Sequence, residues 1–304
     1  MQKFTSIGCA LLLLLACLIA GCASQEHEPA ADGRLQVVVS FNAMQELVQA
    51  VGRDRVHITT LIPDGTEPHD FQPTPKNIKV LHRADLFVYN GAGMEPWVET
   101  AAKAASNKRL QLVEASKGVE LIALTEPEDQ KEHGAYDPHT WLSLANAQIQ
   151  VQNIAAALAK ADAANADFYQ KNATAYNQQL QTVLEQYQTK FAQANKTDFV
   201  TGHAAFAYLC RDFNLTQTSV EDVFASGEPS ARSLSRLADY CRAKHVTTIF
   251  VEEAVSPKTS QTLAKEVGAK TQPVQTIESS DEGKSYLERM QENLEAIYQS
   301  LHNS

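Results

Sequence analysis

Short, wholly apolar runs alternate along this chain with longer stretches whose apolar positions recur every three or four residues. Leu35-Gln36-Val37-Val38-Val39-Ser40 reads as a buried first strand. Ala43 to Val51 follows with helical spacing and ends at Gly52. Val56 to Ile62 predicts a second strand, closed by the turn residues Pro63-Asp64-Gly65. Thr74-Pro75 opens a helix that ends near Arg83, and Leu86-Phe87-Val88-Tyr89 is a third strand leading into Gly91-Ala92-Gly93. Strands alternating with helices imply a parallel sheet covered on both faces. From Thr140 to Thr201 there is neither Gly nor Pro. Residues 144–160 form one helix, and Asp162-Ala163-Ala164-Asn165 can turn and cap the next. Tyr169, Ala173, Tyr176, Leu180, Val183, Tyr187 and Phe191 then recur at steps of four and three. They make one apolar face of a helix of roughly 30 residues, some 45 Å long, which reads as core packing.

The second half repeats the alternation. Phe199–Thr201, Thr216–Val220, Thr247–Val251 and Gln272–Ile277 read as strands. Ala204–Phe213, Ser230–Lys244, Pro257–Val267 and Tyr286–Leu301 read as helices. The predicted class is α/β, with two lobes, each a small parallel sheet flanked by helices, joined by one long rigid α-helix. The boundaries follow as an N-terminal lobe over 34–144, a helical connector over 145–196 and a C-terminal lobe over 197–304. A long helix between two such halves is a stiff connector and should limit hinge motion.

The first 33 residues have a different character. Lys3 is the only charged side chain before Cys22, and an apolar run from Ile7 to Ala20 follows it. That run suits a signal segment and is short for a bilayer span. It ends in Ile19-Ala20-Gly21-Cys22, a lipobox pattern, which predicts removal of 1–21, lipidation of Cys22 and a solvated tether over 22–33. The chain then works outside the cytoplasm, held to the cell membrane by a lipid anchor. The formal net charge of −10 becomes more negative once Lys3 is lost, which argues against nucleic acid or an anionic membrane surface as partner. Cys210 and Cys241 remain. They fall in helical patterns on opposite faces of one sheet, so free, buried thiols are expected rather than a disulfide.

Four segments far apart each offer one metal-binding side chain. They are Gly65-Thr66-Glu67-Pro68-His69, Asp137-Pro138-His139-Thr140-Trp141, Thr201-Gly202-His203-Ala204 and Thr276-Ile277-Glu278-Ser279. His69, His139, His203 and Glu278 are each unremarkable alone. Together they are a three-imidazole, one-carboxylate set that suits a transition metal, zinc first. Only a folded chain of two lobes could bring them together. Glu67 beside His69 is a candidate to hold the ring from behind the ion. Four protein ligands leave no position for an activated water, which favours capture over catalysis. A zinc hydrolase would need Glu278 off the metal and a base such as Glu67 beside an open site.

The run Gly65-Thr66-Glu67-Pro68-His69-Asp70-Phe71-Gln72-Pro73-Thr74-Pro75, then Ala84-Asp85-Leu86 and Asn90-Gly91-Ala92-Gly93-Met94-Glu95, resembles the solute receptors of zinc and manganese ABC importers. Asp137-Pro138-His139-Thr140-Trp141-Leu142-Ser143, Gly227-Glu228-Pro229-Ser230 and Phe250-Val251-Glu252-Glu253 match further segments of that family. The resemblance implies two α/β lobes, one long helix, a single metal in the cleft on His69, His139, His203 and Glu278, and a membrane permease as partner. Zn²⁺ is the implied cargo, with Mn²⁺ the alternative. Manganese members usually carry Glu at the third place and Asp at the fourth, where this chain has His203 and Glu278. A monomer without enzymatic activity is expected. Many zinc members carry a long His-rich loop before the second signature. Here residues 125–136 are short and acidic, with a single His133, so a second, loop-bound metal is not expected.

Overall fold

The valine run at Leu35–Val39 becomes β1, the centre of a parallel sheet, which is why it carries no polar alternation. The computed structural model describes residues 33–124, 134–225, 229–253, 256–281 and 283–302. The signal segment, Cys22, the tether, Gly227-Glu228 and residues 125–133 of the acidic segment lie outside the described residues.

The first sheet has the order β2-β1-β3-β4, all parallel, with β2 at Val56–Thr60, β3 at Leu86–Tyr89 and β4 at Gln111–Glu114. Helices α1 (Asn42–Gly52), α2 (Pro75–Arg83) and α3 (Val98–Ala105) connect its strands. Thr74 accepts from the backbone of Asn77 while the Asn77 side chain returns the bond, a capping box that fixes where α2 begins. Sequence periodicity reveals three of these strands. The fourth carries no such period, because β4 is four residues long and half polar.

Two antiparallel-connected helices follow, α4 (Leu144–Ala161) and α5 (Ala166–Phe191), joined by a turn at Ala163–Asn165. The predicted stripe on α5 is buried, with Tyr169, Ala173 and Leu180 fully so, and Tyr176 half-buried. Its length is 26 residues rather than about 30. The second sheet repeats the topology of the first as β6-β5-β7-β8, from β5 (Asp198–Thr201), β6 (Thr216–Ser219), β7 (Thr248–Val251) and β8 (Lys270–Pro273). Helices α6 (Ala207–Phe213), α7 (Ala231–Ala243), α8 (Pro257–Val267) and α9 (Tyr286–His302) complete the chain. The last strand is therefore displaced from the expected Gln272–Ile277. Lys270 comes two residues after the left-handed cap at Gly268, and beyond Val274, whose N–H still donates to Val251 O at 3.0 Å, the chain runs on as buried loop.

Both sheets are the two lobes expected, yet they do not have separate cores. One continuous apolar cluster runs from Val37 and Leu86 in the first sheet, through Leu144, Ile154, Tyr169 and Phe191 of the paired helices, to Phe199, Phe250 and Leu294. A smaller cluster around Val200, Ile249 and Leu263 fills the far side of the second sheet. Cys210 packs in the first cluster and Cys241 in the second, both as free buried thiols whose pKa burial pushes up to about 12 and about 11. No helix among the described residues is long and apolar enough to cross a membrane.

In each sheet the chain reverses its order of progression between the central strands, β1 against β3 and β5 against β7. The carboxyl ends of strands at such a switch point leave a crevice where ligands bind. Asn42 and Asn90 emerge at the first crevice, and His203 and Glu252 at the second.

Candidate metal centre

His69, His139, His203 and Glu278 each bring one donor atom to a common point, all within 4.8 Å of one another. His69 sits in a single helical turn, Pro68–Asp70, and the Glu67 carboxylate accepts from its backbone N–H at 3.3 Å. His139 ends the Asp137-Pro138-His139 loop. Asp137 Oδ1 lies 2.9 Å from the His139 backbone nitrogen and 3.0 Å from its Nδ1, so one oxygen accepts both N–H groups. That bond assigns the proton to Nδ1 and leaves the Nε2 lone pair facing the centre. The loop itself is tied down by Asn90, whose amide donates to Pro138 O at 2.8 Å and whose carbonyl accepts from Thr140 Oγ1 at 2.6 Å.

His203 lies two residues past β5. Gly202 before it has no room for a side chain, because a Cβ would stand 2.1 Å from Glu252 Oε2. The same glutamate accepts from the His203 backbone N–H at 3.1 Å and stands 3.7 Å from its Nδ1. Glu278 follows β8 by five residues, and Thr276 Oγ1 donates to its Oε2 at 2.9 Å. Its Oε1 is buried with no hydrogen-bond partner.

The three Nε2 atoms face one another, with His69 and His139 at 3.2 Å and His203 and His139 at 3.5 Å. A tetrahedral shell with bonds of about 2.0–2.1 Å has its donors roughly 3.3–3.4 Å apart. The spacing therefore fits an ion of that size, and Glu278 Oε1 supplies the unsatisfied oxygen. His139 and His203 are fully buried and Glu278 is 2 % exposed, so water does not compete freely for the site. Trp141, Phe224 and the neighbouring imidazoles form its walls.

Burial sets the electrostatics. It holds His203 well below the usual imidazole range, with His139 adding to the effect. It drives Glu278 well above the carboxylate range, with Glu67 and Glu253 adding to the effect. Glu67 is likewise raised by burial, and Glu252 is pushed up to about 8. Burial and mutual repulsion both disfavour accumulated negative charge here without a cation.

The expectation for Glu67 needs correction. Its hydrogen bond goes to the His69 backbone, and Oε1 stands 3.9 Å from the ring nitrogen that faces the centre, not behind the ring. It braces the turn. The carboxylate hydrogen-bonded behind a ring nitrogen is Asp137, and Glu252 stands 3.7 Å from the His203 Nδ1 without a hydrogen bond to it; the sequence alone assigned neither such a place. Asp137 had a usable signal, an acid two residues before a candidate ligand. Glu252 had its place after a buried strand and in the family segment Phe250-Val251-Glu252-Glu253.

The sequence matches the family described as zinc-uptake complex component A, periplasmic (ZnuA), over residues 37–300. It is 38% identical to a high-affinity zinc uptake system protein ZnuA of Bacillus subtilis, over 96% of this chain and 97% of that one. It is 32% identical to a zinc-binding lipoprotein AdcA of Streptococcus pneumoniae, covering 97% of this chain but 60% of that longer relative. A zinc(II)-bound variant of AdcAII from Streptococcus pneumoniae superposes with a TM-score of 0.81 at 31% identity, over 88% of this chain and 98% of that one.

Binding a divalent ion here should release a proton from Glu278. Burial raises the carboxyl and so favours its protonated form without metal, the ligand must be ionised, and so affinity should fall as pH falls. Calorimetry in buffers of different ionisation enthalpy should find about one proton released per ion at pH 7. Glu278→Gln should remove most of that release. No release from the parent protein would contradict the raised carboxyl.

Proposed function

The chain belongs to the ZnuA family of zinc-uptake components, and on that premise we propose that it is the extracytoplasmic receptor that captures Zn²⁺ for an ABC importer. The observation that carries this reading is the set of four buried donors, three imidazole nitrogens and one carboxylate, at spacings that suit a tetrahedral ion. His69, His139, His203 and Glu278 are the ligands in this account. Asp137 orients the His139 ring, and Glu252 holds the His203 backbone beside its ring. The donors come from both halves of the chain, so a bound ion joins them.

Zinc over manganese follows from the donor set. Imidazole suits zinc, whereas Mn²⁺ prefers more oxygen and a higher coordination number. Glu278 lies among the donor atoms, which supports a closed shell rather than the open position a hydrolase would need. The sequence also has no phosphate-binding Gly-rich loop ending in Lys-Ser or Lys-Thr, so nucleotide hydrolysis falls to a partner. A monomer that docks on a membrane permease, anchored through a lipid on Cys22, completes the proposal.

Capture needs a rim that can part. Gly65 N–H donates to Ser279 Oγ at 2.8 Å, and Ser280 donates to Asp64 through N–H at 2.8 Å and through Oγ at 2.5 Å. These bonds join the loop before His69 to the loop after Glu278. The two Asp64–Ser280 bonds are exposed, so they can open while the shared core beneath stays intact.

Paired titration with zinc and manganese under a competing chelator tests the assignment. One tight site per chain is expected, with zinc displacing manganese. His203→Glu should lose zinc affinity and narrow the gap to manganese, because it adds a hard oxygen donor. An unchanged zinc-to-manganese ratio in that variant would remove His203 from the ligand set. Separately, Cys22→Ala should leave the protein released or unprocessed when cells are fractionated. Continued membrane attachment of a cleaved Cys22→Ala chain would rule out the lipid anchor.

A further inference from the structure

Glu278 reaches the metal centre on a segment, Gln275–Ser280, that belongs to no helix or strand. Its buried backbone groups have no ladder to join, so each must find a partner elsewhere. Side chains supply them. Asn293 accepts from Gln275 N–H at 2.9 Å and donates to Gln275 O at 2.7 Å. The two oxygens of Glu253 accept from Thr276 N–H and Ile277 N–H, both at 2.9 Å. Trp141 Nε1 donates to Thr276 O at 2.7 Å, and Arg289 Nη1 donates to Ser279 O at 2.8 Å.

Ile277, directly before the ligand, has φ +61° and is fully buried. A β-branched residue in the left-handed region is strained and persists only where the surroundings over-determine it. Here the over-determination has a visible source. Glu253 grips the amides on the near side of the turn, Arg289 grips the carbonyl beyond it, and the two side chains meet at 3.4 Å. Arg289 is 2 % exposed, although arginine is seldom fully buried without a specific partner set. Its guanidinium also donates to the Gln275 side chain and, at 2.9 Å, to Asn42 Oδ1 of the first lobe. Asn42 N–H in turn donates to Glu278 O at 3.3 Å. A planar fork is required to reach all of these at once, which a lysine ammonium could not do.

We propose that Glu253 and Arg289 are positioning residues. Together they hold the left-handed turn at Ile277 and thereby aim the Glu278 carboxylate at the three imidazoles. Neither touches the ion. Through Asn42, Arg289 also refers the position of this ligand to the opposite lobe, so the fourth donor is set by both halves of the molecule. The inference rests on the reading of Glu278 as a metal ligand.

A double-mutant cycle on the full chain tests it, with zinc affinity measured for the parent, E278A, R289M and the double variant. Loss of an outer contact typically costs 10–100-fold in metal affinity, and R289M should lose roughly that much. E278A should lose at least as much, and the double variant should bind no more weakly than E278A alone. Losses that multiply would overturn the positioning role while leaving Glu278 a ligand. No loss in E278A would overturn the ligand reading and this proposal with it. Cobalt(II) absorption gives a second readout: the R289M spectrum should resemble that of E278A, and a parent-like spectrum would count against the proposal. Should metal-free R289M lack native circular dichroism, E253Q takes its place in the same cycle. It leaves the guanidinium intact and removes one of the two amide acceptors, and the same non-additivity is expected.

Discussion

Everything around the centre answers one electrostatic demand: lone pairs on three imidazoles and a carboxylate face one another inside the protein, where water cannot separate them. The Nε2 atoms of His69 and His139 stand 3.2 Å apart, and Glu278 Oε1 has no donor. Without a cation, protonation of Glu278 relieves the site only partly. Each unit by which a carboxyl is raised corresponds to about 1.4 kcal/mol. Structural zinc sites, by comparison, gain about 10–16 kcal/mol on binding. A zinc ion, unlike a proton, can engage all four donors at once. The same comparison explains why Asp137 matters: by fixing the proton of His139 on Nδ1 it keeps the facing lone pair available.

Two similar parallel sheets set up this encounter. In the second sheet, the switch between β5 and β7 places His203 and Glu252 side by side, and Gly202 is needed because the glutamate occupies the space a side chain would take. The first sheet contributes Asn90 at the end of β3, which holds the His139 loop by both ends of its amide. Behind both sheets, α4 and α5 share one apolar core with the first sheet, α9 and part of the second. Independent lobes on a flexible link would pay to be ordered each time an ion bound. A shared core has already met that cost, and the contacts between the loops bearing His69 and Glu278 include bonds at Gly65, Asp64, Ser279 and Ser280.

Much of this was legible in the residues, for identifiable reasons. Val37–Val39 announced a buried strand because both its faces are covered, and the Thr74-Pro75 pair announced a helix start because capping chemistry is local. The four candidate ligands were legible only as a set. β4 escaped because four half-polar residues have no period to detect. The stretch Val274-Gln275-Thr276-Ile277 read as strand because it is buried; beyond Val274 its backbone is satisfied instead by the side chains of Asn293, Glu253 and Trp141, none of them near in sequence. The expectation for Glu67 failed for a related reason. Adjacency along the chain puts its carboxylate on the backbone of His69, whereas Asp137 bonds both the backbone and the ring of His139.

X-ray absorption at the zinc edge of the loaded protein tests the central claim most directly, because it reads the ion's neighbours rather than their consequences. The account predicts four light donors at about 2.0–2.1 Å, with the outer-shell scattering of three imidazoles and no sulfur at about 2.3 Å. A shell of six oxygens, or fewer than two imidazoles, would contradict it.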